Sequence, residues 1–242
     1  MRYCFLLLVL TGTLSAQETF DPTISEVWEP EPAIVTSGQT MNTPPSDAIV
    51  LWAGEDSKEQ WVKVGGYSFE WSTEGDALVV QPGTGNIQTK REFGDIQLHL
   101  EFRTPATVES EGQGRGNSGL FLQGRYEVQI LDSYNNRTYS NGQASSIYKQ
   151  TAPLVNASRG PGEWQTYDIL FTAPRFNSEG VRTSMGYVTV IHNGVLTQHN
   201  TPIYGTTEYN RMPQNIAHDN GPIILQDHGN LTAFRNIWIR EL

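Results

Sequence analysis

In the stretch Tyr126-Glu127-Val128-Gln129-Ile130-Leu131-Asp132, polar and apolar residues alternate. A β-strand sends successive side chains to opposite faces, so Val128 and Ile130 point to a core while Glu127 and Gln129 stand side by side on the other face. An acid beside an amide can move a proton and hold an oxygen; a merely wetted strand produces the same pattern. Asp132 opens a bend, Asp132-Ser133-Tyr134-Asn135-Asn136, of the kind that rims the sugar-binding faces of β-sandwiches.

Four further segments carry usable chemistry. Asn117 lies in Gly116-Asn117-Ser118-Gly119, where small residues open a strand and glycine permits either close ligand approach or a bulge. Tyr148 and Lys149 bring together a phenol that could stack on a sugar ring and an ammonium that could polarise a carbonyl; an ordinary edge loop is the competing reading. Gln226-Asp227-His228 crowds polar groups at the end of an apolar strand, as strands facing a cleft do. Arg235 is the only charge before Arg240 in Phe234-Arg235-Asn236-Ile237-Trp238-Ile239, which reads as a closing strand.

Several chemistries lose their sequence support. The 5 histidines show no i, i+2 or i, i+4 spacing, which disfavours a tight zinc site, while an oxygen-rich calcium or magnesium site stays open. No nucleophile elbow, phosphate loop or dinucleotide fingerprint occurs, which removes the usual signals of acyl, phosphoryl and hydride transfer. With 16 Lys plus Arg against 26 Asp plus Glu and the charges dispersed, the chain lacks the basic face that nucleic acid requires.

The elements that position these residues are read from periodicity. In Asp95–Arg103, Ile96, Leu98, Leu100 and Phe102 share one face and the polar residues, His99 among them, share a face expected to be wet. Further strands are expected at 77–81, 118–123, 126–132, 165–172, 187–192, 223–227 and 234–240, with Asn193-Gly194 as a type I′ hairpin turn. No window of about three helical turns carries an apolar stripe, so the fold class is all-β, two stacked antiparallel sheets in a jelly roll. Residues 1–16 read as a signal peptide, with Arg2, an apolar core and Leu14-Ser15-Ala16 before the cut, and 17–46 as an extended lead-in. The domain proper spans 47–242. The expected location is therefore periplasmic or extracellular, without membrane insertion. The sole cysteine, Cys4, falls inside the removed segment.

The ordered set Gly116-Asn117-Ser118-Gly119, Tyr126–Ile130, Ser146-Ile147-Tyr148, Pro153–Asn156, Gly162-Glu163-Trp164-Gln165, His192-Asn193-Gly194, Gly221-Pro222-Ile223, Leu225–Gly229 and Phe234–Ile237, preceded by 47–61 as a first strand, resembles the 3-keto-disaccharide hydrolase family. Gln165 departs from the Asn that many relatives carry there. The resemblance implies a concanavalin A-like jelly roll, bacterial export and action on glucosides already oxidised at C3. Glu127–Asp132 also looks like the catalytic strand of laminarinase-type glycosidases, but Gln129 replaces their central Asp, which disfavours direct displacement.

A 3-ketone acidifies the C2 proton, so a base can form an enediolate and the C1 oxygen can leave; water then adds back. That chemistry needs a base and donors for the enolate oxygen. For that chemistry the chain offers Glu127 and His228 as acid/base candidates and Lys149, Arg235, Gln129 and Gln226 as candidate donors, with a divalent metal able to replace one donor. Asn117, Asp132 and Tyr148 complete the expected carbohydrate contacts. A non-catalytic carbohydrate-binding module is the main alternative, since the same sheet face can bind sugar without reacting.

Overall fold

The computed structural model describes residues 21–40 and 42–242, so the expected signal peptide lies outside the described residues. By contacts the chain divides into Met1–Ile34 and Val35–Leu242. In the first unit, Asp21 caps a single 3-10 turn at Pro22–Ser25 by accepting the Thr23 amide. The second unit is the β-sandwich jelly roll that the alternating runs predict. No helix among the described residues is long and apolar enough to cross a membrane.

The larger sheet has eight strands in the order β13 (Val195–Ile203), β12 (Gly186–His192), β9 (Gln165–Thr172), β6 (Ile96–Arg103), β15 (Ala233–Glu241), β4 (Ala77–Val79) and β3 (Ser72–Glu74), with β1 (Ile49–Trp52) also paired to β15. The smaller sheet runs β2 (Trp61–Lys63), β5 (Ile87–Phe93), β14 (Gly221–Leu225), β7 (Ser118–Leu122) and β8 (Tyr126–Ile130). Two short strands, β10 (Arg175–Phe176) and β11 (Arg182–Ser184), form a separate ribbon. Pairing is antiparallel throughout both large sheets.

The core lies between the sheets and uses one side chain in two from each strand: Ile96, Leu98, Leu100 and Phe102 of β6, Tyr167, Ile169 and Phe171 of β9, and Leu120, Leu122, Val128 and Ile130 of β7 and β8. Tyr126 reaches from the smaller sheet to Phe171 of the larger, their rings 6.1 Å apart. Asn193 (φ 52°) and Gly194 (φ 80°) both adopt the left-handed conformation that a type I′ turn demands.

Two expectations are corrected. Residues 47–61 are not one strand: β1 and β2 belong to different sheets, and a 3-10 segment at Glu55–Gln60 carries the chain between them. The polar face of β6 is not wet either, for His99 is fully buried and Glu101 nearly so. Trp238 stacks on His99 at 5.3 Å, and Asn42 of the lead-in accepts hydrogen bonds from Asn236 and Trp238, closing that face.

Candidate active site

Glu127 occupies the outer face of the smaller sheet, between two residues, Tyr126 and Val128, that point into the core. Antiparallel register sets its neighbours. Phe121 of β7 is directly opposite, and Ile224 of β14 continues the row. One row along, Gly119 faces Gln129, and the Gln226 amide donates to the Gly119 carbonyl, which brings Gln226 to the other side of the glycine. Because Gly119 has no side chain, the Glu127 carboxylate leans into the space above it: a Cβ built there would fall 2.6 Å from Oε1.

β8 would be a sheet edge, but the loop 143–151 covers it. Val128 bridges Ile147, the Gln129 amide donates to the Ser146 carbonyl at 3.0 Å, and the Tyr148 amide donates to the Glu127 carbonyl at 3.1 Å. Ile147 enters the core, so Tyr148 takes the outer face beside Glu127. The loop achieves this with Ser145 (φ 64°) and Lys149 (φ 56°) in left-handed backbone, the second fixed by its amide to the Asn141 carbonyl at 2.8 Å. Such conformations cost energy in non-glycine residues and gather at functional sites.

A cluster of phenols surrounds this point. The Tyr139 and Tyr148 hydroxyls are 2.6 Å apart. The Lys149 ammonium lies 4.0 Å from the Tyr209 ring centre and 5.6 Å from that of Tyr139, and donates to the Tyr209 carbonyl at 2.6 Å. Tyr209 arrives on the loop after β13, which is pinned to β8 by the Glu127 amide donating to Thr207 Oγ1 at 2.9 Å. A cleft of about 590 Å³ opens beside the cluster, lined by Tyr139, Asn141, Lys149, Tyr209, Asn210, Arg211 and Met212; Glu127, Tyr148 and Gln226 stand outside this lining.

The electrostatics single out Glu127. It is 4% exposed, and burial pushes its carboxyl up to about 8, with no cation or hydrogen-bond donor among the described residues to offset the desolvation. Burial and neighbouring acidic groups, Glu127 among them, also hold the Tyr148 and Tyr139 phenols above their ordinary value. Gln226 is the complementary group. Its Oε1 is buried with no partner among the described residues, an uncommon state for an amide oxygen.

The remaining candidates are placed differently. Gln129 is spent on structure: its Nε2 donates to Gln113 Oε1 at 3.0 Å and its Oε1 accepts from the Ile130 amide. Asn117 donates to the Gln113 carbonyl at 2.7 Å beneath the same turn. Asp132 lies past the end of β8, 2% exposed, and accepts from Arg115 at 2.7 Å. It lines a separate groove of about 1020 Å³ that does not include Glu127. His228 is exposed on the loop beyond β14. Arg235 belongs to β15 of the other sheet, where it pairs with Glu101 at 2.7 Å and covers Trp164 at 4.1 Å, on the opposite side of the sandwich from Glu127.

Glu127, Tyr148, Lys149 and Gln226 are thus brought together, and Arg235, Asp132 and His228 are not. Tyr139 and Tyr209 join the cluster without any sequence signal beyond being aromatic. Among the described residues the cluster offers one carboxylate, Glu127, where a calcium ion ordinarily takes several oxygen ligands from the protein. Among the described residues no three His, Cys, Asp or Glu side chains converge.

No curated protein matches the chain. A crystal structure of a "putative glycosyl hydrolase" from Parabacteroides distasonis ATCC 8503 is 49% identical and superposes with a TM-score of 0.89 over 97% of this chain and 100% of that one. Two more structures from the same organism, described in the same words, share the fold at 18% and 22% identity: one with a TM-score of 0.57 over 81% of this chain and 94% of that one, the other with 0.52 over 81% and 99%. The family pattern of the 3-keto-alpha-glucoside-1,2-lyase-like domain matches residues 47–240, and the chain belongs to that family.

Proposed function

We propose that this protein is an exported carbohydrate-active enzyme that cleaves 3-keto-glucosides by proton abstraction at C2, elimination and hydration. The observation that carries the reading is Glu127: a buried carboxyl raised to about 8 by desolvation, with no counter-charge, on the outer face of a jelly-roll sheet. A general base works best when its pKa lies near the operating pH, and burial is the ordinary means of raising a carboxylate to that range. Family membership supports the substrate class, and the 49%-identical relative supports carbohydrate chemistry. The composition of residues 1–16 supports export.

The steps follow from the layout. The Glu127 carboxylate takes the C2 proton, whose acidity comes from the adjacent ketone. The electron pair moves into an enediolate whose oxygen accepts from Gln226 Nε2, which makes no hydrogen bond among the described residues. The pair then forms the C1–C2 double bond as the C1–O bond breaks, and water later adds at C1 while a proton returns to C2. Direct displacement lacks its second carboxyl, since residue 129 is an amide and Asp132 is neutralised by Arg115.

The test is to incubate the purified protein with a 3-keto-glucoside and with its unoxidised parent. The ketone should be cleaved and the parent left intact. Glu127→Gln should lose about 10²–10⁴-fold in kcat while still binding the sugar. Binding without turnover in the wild type would instead make this a carbohydrate-binding module.

A further inference from the structure

We infer that Tyr148 is the acid that protonates the departing glycosidic oxygen, with the Tyr139 hydroxyl hydrogen-bonded behind it; the inference rests on the elimination reading above. The two bonds broken in that reaction lie on adjacent carbons, so the base and the acid must stand a few ångströms apart. Glu127 and Tyr148 meet this condition through the backbone. The Ile147–Val128 bridge and the 3.1 Å bond from the Tyr148 amide to the Glu127 carbonyl make them cross-strand neighbours on one face, a relation that puts Cβ atoms about 4.5–5.5 Å apart.

The phenol pair supplies the proton. Two hydroxyls 2.6 Å apart share one hydrogen bond and use one of their two protons. When Tyr139 donates to Tyr148, the Tyr148 proton is free to point at a ligand. The Lys149 ammonium faces both rings, 5.6 Å from that of Tyr139 and 5.9 Å from that of Tyr148, where it would stabilise negative charge as it develops on the phenol oxygen. Burial keeps Tyr148 protonated until then. The other sequence candidate for an acid, His228, stands elsewhere, on an exposed loop.

The protons balance over the cycle. As the C1–O bond breaks, the leaving oxygen takes the Tyr148 proton and departs as an alcohol. The tyrosinate then removes a proton from the water whose oxygen adds to C1, and Glu127, whose acid proton exchanges with solvent while the intermediate is bound, delivers a proton to C2. Both side chains end as they began.

Leaving-group dependence tests the assignment. A 4-nitrophenolate departs without protonation, whereas a sugar alkoxide does not. Tyr148→Phe should therefore lose about 10²–10⁴-fold in kcat/KM on a 3-keto-disaccharide and less than about 10-fold on 4-nitrophenyl 3-keto-glucoside. Exchange of the C2 proton with solvent should continue in the variant. Tyr139→Phe should show the same pattern with a smaller loss. The wild-type chain alone gives a second reading: across 3-keto-glucosides of graded leaving-group acidity its kcat/KM should vary shallowly. Equal losses on both substrates in a folded Tyr148→Phe, or a steep wild-type dependence, would overturn the inference while leaving the elimination reading standing. A wild-type chain inert toward every ketone would overturn both.

Discussion

Glu127 Oε1 sits 2.6 Å from the point where a side chain on Gly119 would begin, so the carboxylate owes its position to a missing methyl group on the neighbouring strand. Gly119 is extended rather than left-handed, and its use here is space, not backbone freedom. Gly119→Ala should push the carboxylate aside while the strand stays in register. A displacement of about 1 Å can cost up to about 10²-fold. We expect kcat/KM to fall at least about 10-fold with thermal stability little changed, and unaltered kinetics in the alanine variant would show that the carboxylate is not held this way.

The pH profile follows from the same group. A base must be ionised to act, and burial raises Glu127 to about 8, so kcat/KM should climb with pH and level off above that value. Stability should move the other way. Below the unfolded value of 4.5 the carboxyl is neutral in both states and its full contribution is present; as pH rises toward 8 the unfolded chain ionises first and that contribution is lost. Glu127→Gln should flatten this decline in thermal unfolding measured from pH 5 to pH 8.5. A kcat/KM profile that is already flat near pH 5 would place the working base elsewhere.

Arg235 tests the division between the two faces of the sandwich. Its guanidinium pairs with Glu101, which His99, Asn236 and Arg235 together hold down at about 2, and it shields Trp164. Arg235→Met should cost about 1–3 kcal/mol of stability, the usual size of a lost charged hydrogen bond. Because the residue stands behind the other sheet, kcat/KM should stay within about two-fold. A collapse of activity at unchanged stability would put the reactive face on the larger sheet.

Asp132 makes a parallel case at the rim. It is 2% exposed against Arg115, and removing one partner of a buried pair typically costs about 3–5 kcal/mol. Asp132→Asn should lower the melting temperature markedly while leaving the folded fraction active. Loss of activity in proportion beyond the loss of folded protein would return Asp132 to the site.

How much of this was legible depended on whether a residue's place is set locally. The alternation in β6 and β8 told which side chains turn inward, and Glu127 was found that way. Alternation distinguishes inside from outside but not one sheet's outer face from the other's, so it cannot separate Arg235 from residues on the far side of the sandwich. β5, Ile87-Gln88-Thr89-Lys90-Arg91-Glu92-Phe93, carries no alternating signal because its middle is polar; only Ile87, Thr89 and Phe93 are buried. The placement of Tyr148 beside Glu127 depends on Ser145 and Lys149 adopting left-handed backbone, a tertiary choice with no glycine to announce it. Tyr209 arrives from about sixty residues away, through the hold of Thr207 on β8.

Turnover of a 3-keto-glucoside in deuterium oxide, with the product read by NMR, shows whether Glu127 removes a proton from C2 of an oxidised sugar. Deuterium should appear at C2 of the released 3-keto-glucose, and the label and the cleavage should vanish together in Glu127→Gln. Rapid cleavage with C2 fully protiated, or cleavage of the unoxidised glucoside at a comparable rate, would contradict the account.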